Sequence, residues 1–94
     1  MQNLIWYLFA ATRGGNMRAK IIDSLIKKPK NTNQLAKDLK VDYKTIQHHL
    51  RVLYENRMIV AINKEGYGAI YFISPLLKEN IDTFKEIWER FGKK

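Results

Sequence analysis

The sequence predicts a mainly α-helical domain that carries one small β-hairpin. Two observations lead to this class. Apolar residues recur at helical spacing in most of the chain, and only two short runs, residues 58–62 and 70–74, have a β-type composition. Residues 63–68 between these runs supply turn formers. The 94 residues suffice for one domain, so we expect residues 1–94 to form a single unit.

The first predicted helix, residues 2–12, is apolar on nearly all sides and has no charged side chain. Its apolar run at residues 4–11 is too short to cross a bilayer and lacks a basic leader. We therefore expect a cytoplasmic protein with no membrane partner. A helix without a polar face is most easily buried at a subunit interface in so small a domain. Gly14 and Gly15 end this helix, and a second helix is predicted over residues 18–28.

Residues 31–53 have the pattern of two short helices joined by a tight turn. Thr32 is predicted to cap the first helix, and Asp42 is predicted to cap the second. In the second helix Ile46, Leu50 and Leu53 lie within about 60° of each other, which leaves the opposite face polar. Many proteins insert the second helix of such a pair into the DNA major groove.

The polar face of the second helix has no acidic residue and has the chemistry of a DNA contact surface. Lys and Arg reach phosphates or guanine, Gln can pair with adenine, and Thr can touch a thymine methyl group. An ordinary solvated face is the alternative, which the absence of acids disfavours. The candidate contacts on this helix are Tyr43, Lys44, Thr45, Gln47, His48 and Arg51. The candidate flanking contacts are Arg18, Lys20, Lys40 and, at the hairpin tip, Lys64 and Tyr67.

The distribution of charge supports a polyanionic partner. The chain has a formal net charge of +8 and a pI near 9.8. Residues 13–65 contain twelve lysines or arginines and five acids, whereas residues 75–94 contain five bases and four acids. The excess positive charge therefore lies in the part of the chain that contains the helix pair.

The last predicted helix begins with Ser74 as cap and Pro75 as its first residue. Its large apolar residues recur at spacings of 4, 3, 4 and 3, which is a heptad-like seam. The seam could pack on its own domain, but two terminal apolar helices favour pairing with a second copy. We therefore predict dimerisation through residues 1–13 and 75–94. The predicted interface consists of Leu4, Ile5, Leu8, Phe9, Leu77, Ile81, Phe84, Trp88 and Phe91.

The order helix, helix, helix pair, hairpin, helix resembles the winged helix-turn-helix transcription regulators, most closely the ArsR-like group that is common in archaea. The resemblance covers about residues 18–74. It is carried by Leu35, Ala36, Leu39, Val41, Asp42, Thr45, Ile46, His49, Leu50 and Leu53. It implies DNA binding and a dimer formed by the terminal helices. Lys40 stands in the turn, where these proteins often have glycine.

Several chemistries are disfavoured by the residue inventory. There is no cysteine, so disulfides and thiolate metal sites are excluded. Residues 75–94 contain no histidine, so the resemblance gives no support for metal sensing. His48 and His49 point about 100° apart on a helix and cannot chelate one metal together. No nucleophile–base arrangement is visible. We expect a protein without enzymatic activity, metal or cofactor.

The leading hypothesis is a homodimeric transcriptional regulator that binds a specific sequence of double-stranded DNA. Its second helix would enter the major groove, and its hairpin would lie on the flanking backbone or in the minor groove. The alternative is a winged-helix module for protein–protein interaction within a larger assembly.

Overall fold

The computed structural model describes residues 1–64 and 68–92. Within these residues the predicted class, mainly α-helical with a small hairpin, is confirmed. The N-terminal half contains helix α1 (Gln2–Trp6), a π-helical continuation (Tyr7–Ala11), helix α2 (Gly15–Lys27), strand β1 (Lys30–Asn31) and helix α3 (Thr32–Leu39). The C-terminal half contains helix α4 (Tyr43–Glu55), strands β2 (Ile59–Lys64) and β3 (Gly68–Ile73), helices α5 (Pro75–Glu79) and α6 (Ile81–Ile87), and a second π-helical segment (Trp88–Gly92).

The sheet contains a strand that the sequence pattern did not indicate. Its order is β1-β3-β2 and both pairings are antiparallel. Lys30 pairs with Tyr71 and Asn31 with Ile70, so the residues directly before α3 are joined to the hairpin. A two-residue strand is too short to show an alternating pattern. The pairing fixes the hairpin beside the helix pair.

The two ends of the chain pack on each other inside one hydrophobic core. Phe9 and Phe84 meet edge to face, with ring centroids 5.1 Å apart. Ile5, Leu8 and Leu77 are at most 2% exposed. For these five residues the structure corrects the predicted dimer interface, because they are buried within the core of their own chain. Of the other predicted interface residues, Leu4, Ile81 and Trp88 are half-buried and Phe91 is 49% exposed.

Two of the predicted helix caps are confirmed and one is corrected. The Asp42 carboxylate accepts a hydrogen bond from the Thr45 backbone N–H, and the Ser74 hydroxyl accepts one from Leu77. At α3 the cap is Asn31 rather than Thr32. The amide side chain of Asn31 accepts from the Gln34 N–H at 2.8 Å, and the Gln34 side chain accepts from the Asn31 N–H at 2.8 Å. This reciprocal pair satisfies two N–H groups at once.

The helix predicted from Pro75 onward is divided at Asn80. Asn80 ends α5 and precedes α6, with φ of −114° and ψ of 21°. Its side-chain amide donates to the Leu76 carbonyl at 2.9 Å. Such local bonds from Asn compete with the helical ladder, and this explains the break.

The turn between α3 and α4 requires a left-handed residue, and that residue is Lys40. Its φ of 57° and ψ of 46° lie in the region that glycine adopts without cost. The Val41 N–H then donates to the Ala36 carbonyl at 3.1 Å, which closes the end of α3. The departure from the usual glycine therefore stores backbone strain at the turn.

Replacing Lys40 by glycine should raise the free energy of unfolding by about 0.5–1 kcal/mol, because it removes this strain. The matched control is Lys37→Gly within α3, which should lower the free energy of unfolding by about 1 kcal/mol. Urea unfolding of both variants measures the difference. A loss of stability in Lys40→Gly equal to that in Lys37→Gly would contradict the left-handed turn.

Candidate nucleic-acid interface

Helix α4 presents its predicted polar face to solvent. Ile46, Leu50 and Leu53 are at most 3% exposed and anchor the opposite face in the core. Because these three residues repeat at helical spacing, they form one buried stripe, and the residues on the opposite face of α4 point outward. The side chains exposed on the outward face are Tyr43, Lys44, Gln47, His48 and Arg51.

Thr45 differs from the other candidates on α4. It is half-buried, and its hydroxyl donates to the Asp42 carboxylate at 2.7 Å. This bond and the one from the Thr45 backbone lower the pKa of Asp42 below its ordinary value. Thr45 therefore helps to hold the start of α4, and its hydroxyl is already engaged there.

A cleft of about 370 Å³ lies between α4 and the hairpin. Its floor is apolar, and its polar lining contains no carboxylate. The strand register determines which hairpin residues line this cleft. Ala61 pairs with Tyr71, and Asn63 pairs with Ala69, so these residues share one face of the sheet. The polar side chains that line the cleft are Gln47, Arg51, Tyr54, Asn63 and Tyr71.

All five of these side chains can donate hydrogen bonds. A donor-rich, acid-free cleft is suited to a phosphodiester backbone, and an apolar floor is suited to the sugar. The sequence analysis missed Tyr54, Asn63 and Tyr71. Tyr54 was detectable from its spacing, since it lies three residues after Arg51 on the same helix. The other two depend on strand register, which the sequence pattern did not fix.

The prediction that Arg18 contacts phosphate is wrong. Arg18 is 5% exposed, and its guanidinium points into the chain. Its Nε donates to the Leu8 carbonyl at 2.9 Å, and its Nη2 donates to the Thr12 hydroxyl at 2.6 Å. Burial lowers the pKa of this arginine. Arg18 instead joins α2 to the end of the N-terminal helix.

The remaining flanking candidates lie in different places. Lys40 is exposed at the turn before α4. Lys20 is half-buried and borders a second cleft, none of whose lining residues belongs to α4. Lys64 is the last residue of β2, and Tyr67 lies outside the described residues. Of these four residues the structure places Lys40 beside the start of α4, and the phosphate contacts of all four stay predictions.

His49 lies on the inner side of α4 and is 8% exposed, in agreement with its predicted place at the core edge. Its Nδ1 is 3.5 Å from Nη1 of Arg18. Burial lowers the pKa of His49, and the nearby charges of Arg18 and His48 lower it further. Gly14 makes room for this contact: its φ is +88°, and a Cβ there would come within 2.9 Å of His49 Cε1.

Among residues 1–64 and 68–92 there is no group of three or more metal-binding side chains. None of the helices in this described part combines the length and apolar character that a membrane crossing requires.

A capped helix pair followed by a sheet-bound hairpin defines a winged helix-turn-helix domain. The family model for bacterial regulatory proteins of the arsR family matches residues 16–60, which contain α2, the helix pair and the start of the hairpin. The fold is that of a winged helix-turn-helix domain, and residues 16–60 are similar to the arsR family. Regulators of that family are non-enzymatic DNA-binding proteins, and the similarity supports DNA-binding transcriptional regulation.

Solved structures show the same fold at low sequence identity. Reduced HlyU from Vibrio cholerae is 16% identical, with a TM-score of 0.71 over 96% of this chain and 88% of its own. Rv0081 from M. tuberculosis is 19% identical, with a TM-score of 0.71 over 95% and 86%. MepR from S. aureus, bound to ethidium bromide, is 14% identical, with a TM-score of 0.63 over 95% and 65%. No curated protein sequence matches this chain.

The depressed pKa of His49 predicts that stability falls in mild acid. The unfolded chain binds a proton near pH 6.5, the ordinary value, whereas the folded chain binds it only at lower pH. The contribution of His49 is therefore fully present above 6.5 and is lost as the pH falls through the lower folded pKa. Urea unfolding between about pH 8 and about pH 5 measures this loss.

The variant His49→Gln should show a shallower fall in this range, because its side chain does not titrate. His48→Gln is the comparison variant: it removes only the smallest of the three causes of the lowered pKa of His49, so it should change the slope less than His49→Gln does. Equal slopes in wild type and His49→Gln would contradict the proposed cause.

Proposed function

We propose that the chain acts as a homodimeric regulator that binds a pseudo-palindromic site in double-stranded DNA. Each subunit places α4 in the major groove, and the two half-sites lie about 34–36 Å apart. The observation that carries this proposal is the outward face of α4 between Tyr43 and Arg51, which has no acidic residue, together with the donor-lined cleft beside it. As a regulator of chromosomal DNA it would act in the cytoplasm.

The geometry supports base contacts at the start of α4 and a phosphate contact further along the helix. Recognition helices contact base edges mainly through their N-terminal residues, which assigns base contacts to Lys44, Gln47 and His48. Arg51 lies one turn further along and shares the cleft with Asn63 of the hairpin. Because side chains from two elements converge there, we assign Arg51 to a backbone phosphate. Phosphate contacts position the protein without reading sequence.

The dimer part of the proposal rests on the outward face of the N-terminal helix. Tyr7 is 58% exposed, Ala11 is exposed and Leu4 is half-buried, and residues 1–12 carry no charged side chain. Phe91 extends this surface, because its ring meets that of Trp6 edge to face at 6.2 Å. A second copy would remove this apolar surface from water. The interface is thus proposed around Tyr7 rather than around the buried residues of α1.

One observation favours the alternative of a protein-interaction module. Val60 and Ile62 on β2 are 40% and 54% exposed, and their register partners Phe72 and Ile70 lie on the same face of the sheet. This face is opposite the one that lines the cleft between α4 and the hairpin, so a protein partner could bind there. In this protein-interaction module, α4 would not contact DNA.

Gel-shift titration of genomic fragments at low salt tests DNA binding, and binding should weaken steeply as salt rises. Arg51→Ala should weaken binding to selected and random duplexes equally, by about 1–2 kcal/mol, and should lower the salt slope by about one. Gln47→Ala should lose about 1–3 kcal/mol on the selected duplex alone.

Lys85→Ala is the control, because it removes one positive charge from the exposed side of α6, away from α4. It should leave both affinities within about twofold. Failure of every duplex to shift at low salt would reject DNA binding and favour the protein-interaction module. An equal effect of Lys85→Ala and Arg51→Ala would reject the assigned cleft while leaving general DNA binding in place.

Sedimentation velocity tests the dimer. Tyr7→Glu should raise the dimer dissociation constant by at least about tenfold, because it would bury an unpaired charge at the interface. Tyr43→Glu is the matched control, since Tyr43 is a comparably exposed tyrosine on α4, and it should leave the dimer intact. A wild-type protein that is monomeric at micromolar concentration would refute the dimer.

A further inference from the structure

A cleft of about 350 Å³ lies between α2, α3 and the C-terminal π-helical segment. This volume is at the lower end of the range of about 300–1,000 Å³ that is common for small-molecule sites. The DNA-binding proposal does not use it. Its lining combines three lysines, two aspartates and one large aromatic ring: Lys20, Lys27, Lys30, Asp23, Asp38 and Trp88.

Two of the three lysines in this cleft form ion pairs with its two aspartates. Lys27 pairs with Asp23 at 3.4 Å, and Lys30 pairs with Asp38 at 3.6 Å. Lys20 has no ion pair among the described residues. The cleft therefore has an excess of one positive charge, which suits a monoanion. A dianion would also meet repulsion from the two carboxylates.

Lys30 supplies a second donor that is largely removed from solvent. The residue is 8% exposed, and its ammonium donates to the Ser24 carbonyl at 2.7 Å. An ammonium has three donors, and the distance of 3.6 Å to Asp38 exceeds that of a good charge-assisted hydrogen bond. Lys30 thus keeps donor capacity for a ligand oxygen in a partly dry site, where such a bond is stronger than in water.

Trp88 gives the cleft a fixed aromatic wall. Its indole is half-buried and stacks on Phe84, with ring centroids 6.4 Å apart and an angle of 13° between planes. Leu39 adds an aliphatic surface to the same lining. A planar ring packs well against such a wall, and stacked aromatic pairs contribute about 0.5–1.5 kcal/mol beyond their buried area.

We propose that this cleft is a binding site for a small aromatic monocarboxylate. The carboxylate accepts hydrogen bonds from the Lys20 and Lys30 ammonium groups, and the ring packs against Trp88. Benzoate is the probe for this chemistry, because it carries one ring and one carboxylate. Benzamide is its neutral isostere.

A ¹H–¹⁵N correlation NMR titration of the full chain tests the site, because the indole N–H groups of the two tryptophans give separate signals. The signal of Trp88, assigned with Trp88→Phe, should move saturably as benzoate is added. Trp6 does not line the cleft and serves as an internal reference. Benzamide should bind at least about tenfold more weakly, because it lacks the charge that the lysines recognise. A Trp88 signal that does not saturate, or equal binding of benzamide, would overturn the proposal.

Lys20→Gln should weaken benzoate binding by about five- to tenfold, given that Lys20 is partly exposed. Lys37→Gln removes the same charge from an exposed position of α3 outside the cleft and should leave the dissociation constant unchanged. Equal losses in the two variants would show a general effect of net charge and would refute the site. Benzoate binding is measured in the absence of DNA, so loss of benzoate binding and loss of DNA binding are separable outcomes.

Discussion

The buried guanidinium of Arg18 determines how the N-terminal helix, α2 and α4 are arranged. It lies at the point where these three elements meet, and it contacts the Leu8 carbonyl, the Thr12 hydroxyl and the His49 ring. A charge in such a place is tolerated only when its donors are used. Because two of these partners lie at the end of the N-terminal helix and the third lies on α4, shifting either element would leave a donor unsatisfied. The orientation of the outward face of α4 therefore depends on a residue that faces away from it.

The features that the sequence predicted correctly depend on neighbours along the chain. The caps at Asp42 and Ser74 and the inward residues of α4 all follow from spacings of three or four residues. Arg18 shows where such reasoning fails. Its position on a basic helix resembled a phosphate contact, but three distant acceptors decide its orientation. The local sequence pattern shows on which side of its helix a residue lies. Tertiary packing determines which residues it contacts there.

For the terminal helices, too, the local sequence pattern did not give the packing partner. Five of the nine apolar residues assigned to a dimer interface are buried, but against their own chain, a partner that the pattern could not give. α1 and α6 cover one another within the chain, and this leaves Tyr7 and Phe91 as the large apolar residues that remain exposed on these segments. The cleft beside α4 could likewise not be predicted in full, because Asn63 and Tyr71 reach it through strand register. Register is set by pairing and turn geometry rather than by composition.

The short strand β1 has a consequence for communication through the molecule. The backbone of Lys30 is hydrogen-bonded in the sheet beside Tyr71, while its ammonium group lies in the cleft near Trp88. Tyr71 lines the other cleft, between α4 and the hairpin. One register pair of the antiparallel ladder, Lys30 and Tyr71, thus connects the two cavities. Because the backbone of Lys30 belongs to the sheet, a displacement of Lys30 would be passed to the hairpin through the paired strands, without passing through the hydrophobic core.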